Sequence, residues 1–281
     1  MARLDVKKTH KLYIAGEFPR SESGRTFPAL DDDGNVIARM AQGSRKDLRD
    51  AVRAARSAQE KWAARTGYNR GQILYRIAEM IEDRSQAFED DLRAVGASKR
   101  EAGREVAASI DRLVWYAGWC DKFVQVYGNL NPVAGPFFNI SSPEPTGVVG
   151  VIAPARPPLL GLVSRLAPVL VPGNTAVVVA SDEAPVVAVT FAEALATSDV
   201  PPGVVNILTG HAAELTPWLA AHMDVNAIDL TGAPDDIVAE AATSAAENVK
   251  RVVRAEQADS QSPLLIAAFC ETKTVWHPKG L

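Results

Sequence analysis

The sequence "GVVGVIAP" at residues 147–154 is a run of apolar, mostly β-branched side chains in which no polar residue alternates. Such a run is typical of a strand that is buried on both faces. Four similar runs follow it, each preceded by a helix-compatible segment: "NTAVVVAS" (174–181), "VVNILTG" (204–210), "AIDLTG" (227–232) and "KRVVRAE" (250–256). This alternation predicts an α/β domain over residues 147–268, in which helices cover both faces of a parallel sheet.

The N-terminal part of the chain, residues 1–134, follows a different pattern. Apolar residues recur at helical spacing from Arg45 to Val126, which predicts three or four amphipathic helices. Short alternating pieces separated by turn residues precede them, and they predict strands at Lys11–Ile14 and Val36–Met40.

Two short β-prone segments lie outside these regions. "GPFFNISSPEP" at 135–145 ends in two prolines, and we predict that residues 135–146 form a projecting arm. "ETKTVW" at 271–276 predicts a strand within residues 269–281, with no later sequence for it to pair with. Because an unpaired strand at a terminus frays or associates, we expect this tail to join another strand.

Composition excludes several function classes. The net charge is −4 and the charged residues are scattered, so no basic face for nucleic acid is expected. No apolar stretch reaches the roughly 18 residues of a spanning helix, and no apolar segment follows the N-terminal charges. Two cysteines, Cys120 and Cys270, form neither a disulfide framework nor a zinc motif. We therefore expect a cytoplasmic protein without membrane contact and without a metal site.

Several stretches of the chain together resemble the aldehyde dehydrogenase family over nearly all of residues 10–256. They are "LYIAGEF" (12–18), "EPTGVVGVIAPARPPLL" (144–160), "PVLVPGNTAVVVASDEAP" (168–185), "VPPGVVNILTG" (200–210) and "IDLTGA" (228–233). The resemblance implies a Rossmann-type cofactor domain and a catalytic domain late in the chain. It also implies a small oligomerisation element, built from a projecting hairpin and the C-terminal strand.

The same resemblance predicts that the catalytic domain is absent from this chain. A family member carries that domain between the strand that matches "KRV" and its closing strand. Here the two are joined directly, roughly at Ser262 to Phe269. Oligomerisation is then expected to involve Phe137, Phe138 and Ile140 in the arm, and Thr272, Thr274, Val275 and Trp276 in the tail.

The residues that would carry aldehyde oxidation in the family have no good counterpart in this sequence. The nucleophilic cysteine would lie in the missing segment, and we interpret Cys270 and Cys120 as buried or interface residues. Arg156 occupies the place of the family's oxyanion asparagine. Glu256 is the nearest match to the family's base glutamate, but the glycines of that motif are absent. We assign no catalytic residue.

The cofactor motifs that the resemblance implies are degenerate. The family's K-P-S-E stretch, whose lysine and glutamate hold the adenosine ribose, is "VASD" at 179–182, so Val179 replaces the cation. Ser181 and Asp182 remain. Of the glycine-rich turn after the third strand, Gly210 remains.

The turn "LTGA" at 230–233 keeps Thr231 and Gly232 of the family pattern. Asp235 and Asp236 then place negative charge where a pyrophosphate would lie. We predict no bound cofactor, or weak NAD(P) binding at Ser181, Asp182, Gly210, Thr231 and Gly232.

The preferred hypothesis is a catalytically inactive aldehyde-dehydrogenase-like protein that acts by oligomerisation, with itself or with a full-length aldehyde dehydrogenase. Two alternatives stay open. The first is an NAD(P)-dependent dehydrogenase with Cys270 as its nucleophile, and the second is a regulatory nucleotide-binding module. A structural alternative is that the tail is an ordinary last strand packed on its own domain.

Overall fold

A computed structural model describes residues 6–280 as an α/β fold with three sheets. The strands are β1 (Thr9–His10), β2 (Thr26–Leu30), β3 (Val36–Ala41), β4 (Asn129–Asn131), β5 (Phe137–Pro145), β6 (Val148–Ile152), β7 (Thr175–Val179), β8 (Val205–Leu208), β9 (Ala227–Asp229), β10 (Arg251–Val253) and β11 (Cys270–Pro278). The helices are α1 (Arg45–Ala63), α2 (Gly67–Asp83), α3 (Ser85–Ala94), α4 (Lys99–Ala117), α5 (Phe123–Tyr127), α6 (Pro158–Leu170), α7 (Pro185–Ala196), α8 (Ala212–Ala221), α9 (Asp235–Ala246) and α10 (Pro263–Ala267).

The central sheet has the strand order β10-β9-β6-β7-β8, and every neighbouring pair is parallel. Each of its strands lies inside one of the five apolar runs that the sequence shows. All residues of β6, β7, β8 and β9 are buried, as expected for strands covered on both sides. The predicted α/β class, with a Rossmann-type parallel sheet, is confirmed.

Alternate residues of the central strands point to two separate apolar cores. Val149 and Val151 of β6 pack in the core that also contains side chains of α2, α4, α6 and α7. Val148 and Ile152 of the same strand pack in the core shared with α1, α8 and α9. Because successive side chains of a strand point to opposite faces, each face of the sheet packs against its own set of helices.

The N-terminal region differs from the prediction in one strand. Val36–Met40 lies within β3, but the segment Lys11–Ile14 makes only isolated bridges, from Tyr13 to Ile207 and from Ile14 to Glu17. The prediction of a strand there is wrong because Ala15 (φ 55°) and Gly16 (φ 82°) turn the chain back at once.

A third sheet, the arm sheet, consists of β4, β5 and β11 in the order β11-β5-β4. The tail pairs with the arm of its own chain: β11 runs antiparallel to β5 from Cys270, opposite Pro145, to Pro278, opposite Phe137. Strand β4 precedes the predicted start of the arm and lies within the range assigned to the helical part. The joint at Ser262 to Phe269 contains the short helix α10, which the sequence analysis did not anticipate.

Candidate functional sites: the arm sheet and the carboxyl edge of the central sheet

One face of the arm sheet is an apolar row, formed by Leu130 of β4, Ile140 of β5 and Val275 of β11. Ile140 lies directly opposite both of the other two residues. The three side chains are 65%, 47% and 49% exposed, and Phe138 on the same face is 43% exposed. Four neighbouring apolar side chains are therefore open to solvent on this face, which makes it a candidate surface for association.

The opposite face of the arm sheet carries a polar ladder. Asn131 Nδ2 donates to Asn139 Oδ1 (2.6 Å) and to Ser141 Oγ (2.7 Å), and Ser141 Oγ lies 2.8 Å from Thr274 Oγ1. Beyond the ladder, the ring of Trp276 meets that of Phe137 edge to face, with 5.8 Å between the centroids. Side-chain contacts thus tie all three strands together on this face.

The structure brings together all seven residues predicted for oligomerisation. Phe137, Phe138 and Ile140 lie on β5, and Thr272, Thr274, Val275 and Trp276 lie on the strand that pairs with it. Sequence reasoning missed Leu130, because a single leucine between two asparagines shows no period. Its position before a β-prone arm was the only signal.

The predicted cofactor residues fall into two groups at the carboxyl ends of the central strands, on opposite sides of β6. In the first group, Ser181 Oγ accepts the N–H of Glu183 (3.2 Å). Asp182 Oδ2 lies 3.3 Å from His211 Nδ1. Gly210 has a φ of 151°, in the left-handed region that favours glycine.

The second group, Thr231 and Gly232, has structural contacts. Thr231 Oγ1 donates to the carboxylate of Asp229 and accepts the N–H of Ala255 (3.0 Å). A β-carbon added at Gly232 would lie 2.3 Å from the carbonyl oxygen of Ala153, so only glycine fits this close approach of the β9–α9 turn to the end of β6. These two residues would be needed for the fold even without a cofactor.

Carboxylates lie at the N-termini of three helices that follow strands of the central sheet. Glu105 Oε1 accepts the N–H groups of Leu159 (2.8 Å) and Leu160 (3.1 Å) in the first turn of α6. Burial raises the pKa of Glu105. Glu214 lies in the first turn of α8, and two aspartates lie in that of α9. These groups complement the helix dipoles.

The groove beside Asp182 is also dominated by acidic residues. Its charged lining consists of four carboxylates against one arginine and one histidine: Asp31, Asp32, Asp182, Glu183, Arg156 and His211. Val179, at the place of the family's ribose-binding lysine, is fully buried and offers no donor. The charged lining of this groove is therefore acidic on balance.

Both cysteines are buried and are poor nucleophiles. Burial raises the pKa of the Cys270 thiol to about 12, and the thiol donates to the carbonyl oxygen of Ile266 (3.3 Å). Burial also raises the pKa of Cys120 to about 12. Because the thiolate is the reactive form, neither side chain is activated at neutral pH.

Two arginines hold the segment that connects β10 to α10. Arg112 of α4 donates through Nη1 to the carbonyl oxygen of Asp259 (2.6 Å). Arg165 of α6 donates to the carbonyl oxygen of Ser260 (3.4 Å), and its Nη1 lies 3.7 Å from Oδ2 of Asp229. Side chains of α4 and α6 thus hold the short connection against the α/β domain.

Arg156 and Glu256, the other two positions matched to catalytic residues of the family, are exposed, and Arg156 donates to the carbonyl oxygen of Val95 (3.4 Å).

Across residues 6–280, no helix has the length and apolarity needed to cross a membrane. In the same range, no three His, Cys, Asp or Glu side chains are arranged to hold a metal ion.

The fold and the sites define an α/β protein with a five-stranded parallel sheet of the nucleotide-binding type and an arm built from strands. The model of the aldehyde dehydrogenase family matches residues 20–275. This chain therefore belongs to the aldehyde dehydrogenase family.

Individual relatives show how much of a family member the chain represents. Aldehyde dehydrogenase, cytosolic 1, of Elephantulus edwardii is 33% identical over 88% of this chain and 50% of its own length. Cytosolic 10-formyltetrahydrofolate dehydrogenase of Homo sapiens is 33% identical over 95% of this chain and 30% of its own length.

Solved structures of family members also match this chain over about half of their own length. HpcC from Thermus thermophilus superimposes with a TM-score of 0.83 and 31% identity, over 88% of this chain and 48% of its own. An NAD+ complex of aldehyde dehydrogenase from Bacillus cereus gives a TM-score of 0.81 and 27% identity, over 87% of this chain and 50% of its own. The chain thus spans half or less of the length of each of these relatives.

Proposed function

We propose that this chain is a non-catalytic member of the aldehyde dehydrogenase family that acts by assembly through its arm sheet. Its partner is a second copy or a full-length aldehyde dehydrogenase subunit. The observation that carries this proposal is the exposure of Phe138, Ile140, Val275 and Trp276, by 43%, 47%, 49% and 58%, on two strands that pair with each other within the chain. Exposed apolar side chains that are gathered on one small sheet are typical of a surface that associates.

The state of the cysteines supports the absence of catalysis. Aldehyde oxidation through a covalent intermediate needs an activated thiolate and a pocket beside it. Cys270 begins the strand that pairs with the arm, is 7% exposed and has its thiol held by Ile266. Using it as a nucleophile would require this buried thiol to become exposed and ionised.

We expect the melting temperature of the protein to stay unchanged in millimolar NAD or NADP. The physical reason is the acidic carboxyl edge of the central sheet, which repels a pyrophosphate. A ligand present at a hundred times its dissociation constant would stabilise the fold by about 2.7 kcal/mol, which is several degrees in a thermal scan. A saturable rise in melting temperature would favour the nucleotide-binding module instead. NAD-dependent aldehyde oxidation that Cys270→Ser abolishes would favour the dehydrogenase.

Removal of residues 270–281 is the direct test of assembly through the arm sheet. The shortened chain is expected to lose its association, because the strand that supplies Val275 and Trp276 is gone. Multi-angle light scattering of both chains measures this, and circular dichroism checks that the α/β domain is still folded. An unchanged mass on removal of the tail would mean that another surface holds the assembly together.

A further inference from the structure

The outer edge of β11 is a long unpaired strand edge. The strand lies at the end of the order β11-β5-β4, and its nine residues exceed the usual five or six. Eight of the nine residues are exposed. Lys273, a residue type that protects edges, is paired with Glu144 at 3.1 Å. An edge of this length and exposure can accept another strand.

The hydrogen-bond pattern shows which backbone groups of β11 face outward. The N–H of Lys279 donates to Pro136 (2.7 Å), and the N–H of Thr146 donates to Phe269 (3.2 Å). Both pairs fit the β5–β11 register, so the odd-numbered residues of β11 bond to β5. The N–H groups of Thr272, Thr274 and Trp276, and their carbonyl groups, therefore point to the free edge.

We propose that the free edge of β11 pairs antiparallel with β11 of a second copy of this chain, about a twofold axis at Val275. This inference rests on the proposed function and specifies its partner. The two arm sheets then form one sheet of six strands. Because the two copies of β11 run antiparallel, the α/β domains of the two copies lie at opposite ends of these strands.

The side chains select this register. About an axis at Val275, the apolar row Leu130, Ile140, Val275 continues without a break into the same row of the second copy. Glu271, whose carboxylate Arg251 of the same chain holds through two hydrogen bonds (2.8 and 3.0 Å), comes to lie opposite Lys279, so no like charges meet at the ends of the pairing. An axis at Thr274 would instead place Lys273 opposite Val275 and interrupt the row.

The backbone fits this register at its centre. Thr274 and Trp276 pair through their outward N–H and C=O groups, whereas Thr272 lies opposite Pro278, which has no N–H to donate. Val275 and its symmetry mate form a non-hydrogen-bonded pair, whose Cα atoms lie about 4.5 Å apart. That distance lies within the range that a disulfide spans.

Oxidation of the Val275→Cys variant tests the pairing. We expect most of the protein to run as a covalent dimer on non-reducing gels, because the two new thiols face each other. The unmodified chain is the control for Cys120 and Cys270, which are buried and should not cross-link. Lys273→Cys is the matched control, since it lies on the same strand and the same face. Its thiols would be four residues out of register, roughly 13 Å apart, and should stay reduced.

A double variant, Lys273→Cys with His277→Cys, makes the register test independent of position 275. Those two positions lie opposite each other across the axis, so this variant should cross-link although neither single variant does. Cross-linking of Lys273→Cys alone, or none in Val275→Cys while light scattering gives a dimer, would overturn the pairing and leave the proposed function standing. A chain that is monomeric alone and assembles only with a full-length aldehyde dehydrogenase would have the same effect. A monomer under all of these conditions would contradict both.

Discussion

Replacing Val275 and Trp276 together with lysine is expected to convert the assembled protein into a monomer of 30.0 kDa. The two side chains are 49% and 58% exposed in the single chain, so the change should leave the α/β domain folded and act mainly on association, although it removes the contact of Trp276 with Phe137. Burying the remaining apolar surface of each is worth about 1 kcal/mol, and a twofold interface counts each change twice. The association constant should therefore fall by roughly a thousandfold.

The matched control for this variant lies on α2, outside the arm sheet. Tyr68 and Tyr75 are 68% and 51% exposed, so a Tyr68→Lys and Tyr75→Lys chain carries the same added charge and also loses exposed aromatic side chains. Its mass by light scattering should equal that of the unmodified protein. Dissociation of the control, or a Val275 and Trp276 variant that stays assembled, would place the interface elsewhere.

The replacement Arg165→Met is expected to lower the free energy of unfolding by about 3–5 kcal/mol, because it leaves the carboxylate of Asp229 buried without its cation. Both side chains are almost fully buried, and Nη1 of the arginine lies 3.7 Å from Oδ2 of the aspartate. Within the described part of the chain, neither of these two atoms has a hydrogen-bond partner. Urea unfolding at pH 7 measures the loss.

The double variant Arg165→Met with Asp229→Asn is the control for the charge. An asparagine Oδ1 can still accept the hydrogen bonds that Asp229 Oδ1 accepts from Thr231, so the double variant should be more stable than Arg165→Met alone. If the double variant lost as much as the sum of the two single losses, lost packing and not an unpaired charge would explain the effect.

The pH dependence of this variant follows from the direction of the pKa shift. Burial raises the pKa of Asp229, and Arg165 acts against that rise. Without Arg165 the pKa rises further, so the folded chain keeps a proton that the unfolded chain has lost. Stability from a group with a raised pKa is present below its ordinary value and is lost as the pH rises. The loss in free energy of unfolding caused by Arg165→Met should therefore be smallest near pH 4 and grow towards pH 7.

The central sheet could be predicted from the sequence because its strands need no polar face. A run such as Thr175–Val179 is buried on both sides, and this shows directly in its composition. The pairing of β5 with β11 could not be derived in that way. More than 120 residues separate the two strands, and no local pattern fixes which edge a strand joins. The resemblance to a family suggested that arm and tail belong to one oligomerisation element.

The candidate sites show a second limit of sequence reasoning. Gly232 matches a glycine of the cofactor pattern, but the carbonyl group of Ala153 alone explains why glycine is needed. The cap that Glu105 provides for α6 was also missed, because it joins residues more than fifty positions apart. Which side chain fills the N-terminus of a helix is decided by packing between distant elements.

Sedimentation equilibrium of the unmodified protein at micromolar concentrations tests whether the chain acts by assembly. We predict a mass that is a multiple of 30.0 kDa, or a mixed assembly when a full-length aldehyde dehydrogenase is added. A well-folded chain that sediments at 30.0 kDa at every concentration, with or without that partner, would contradict it.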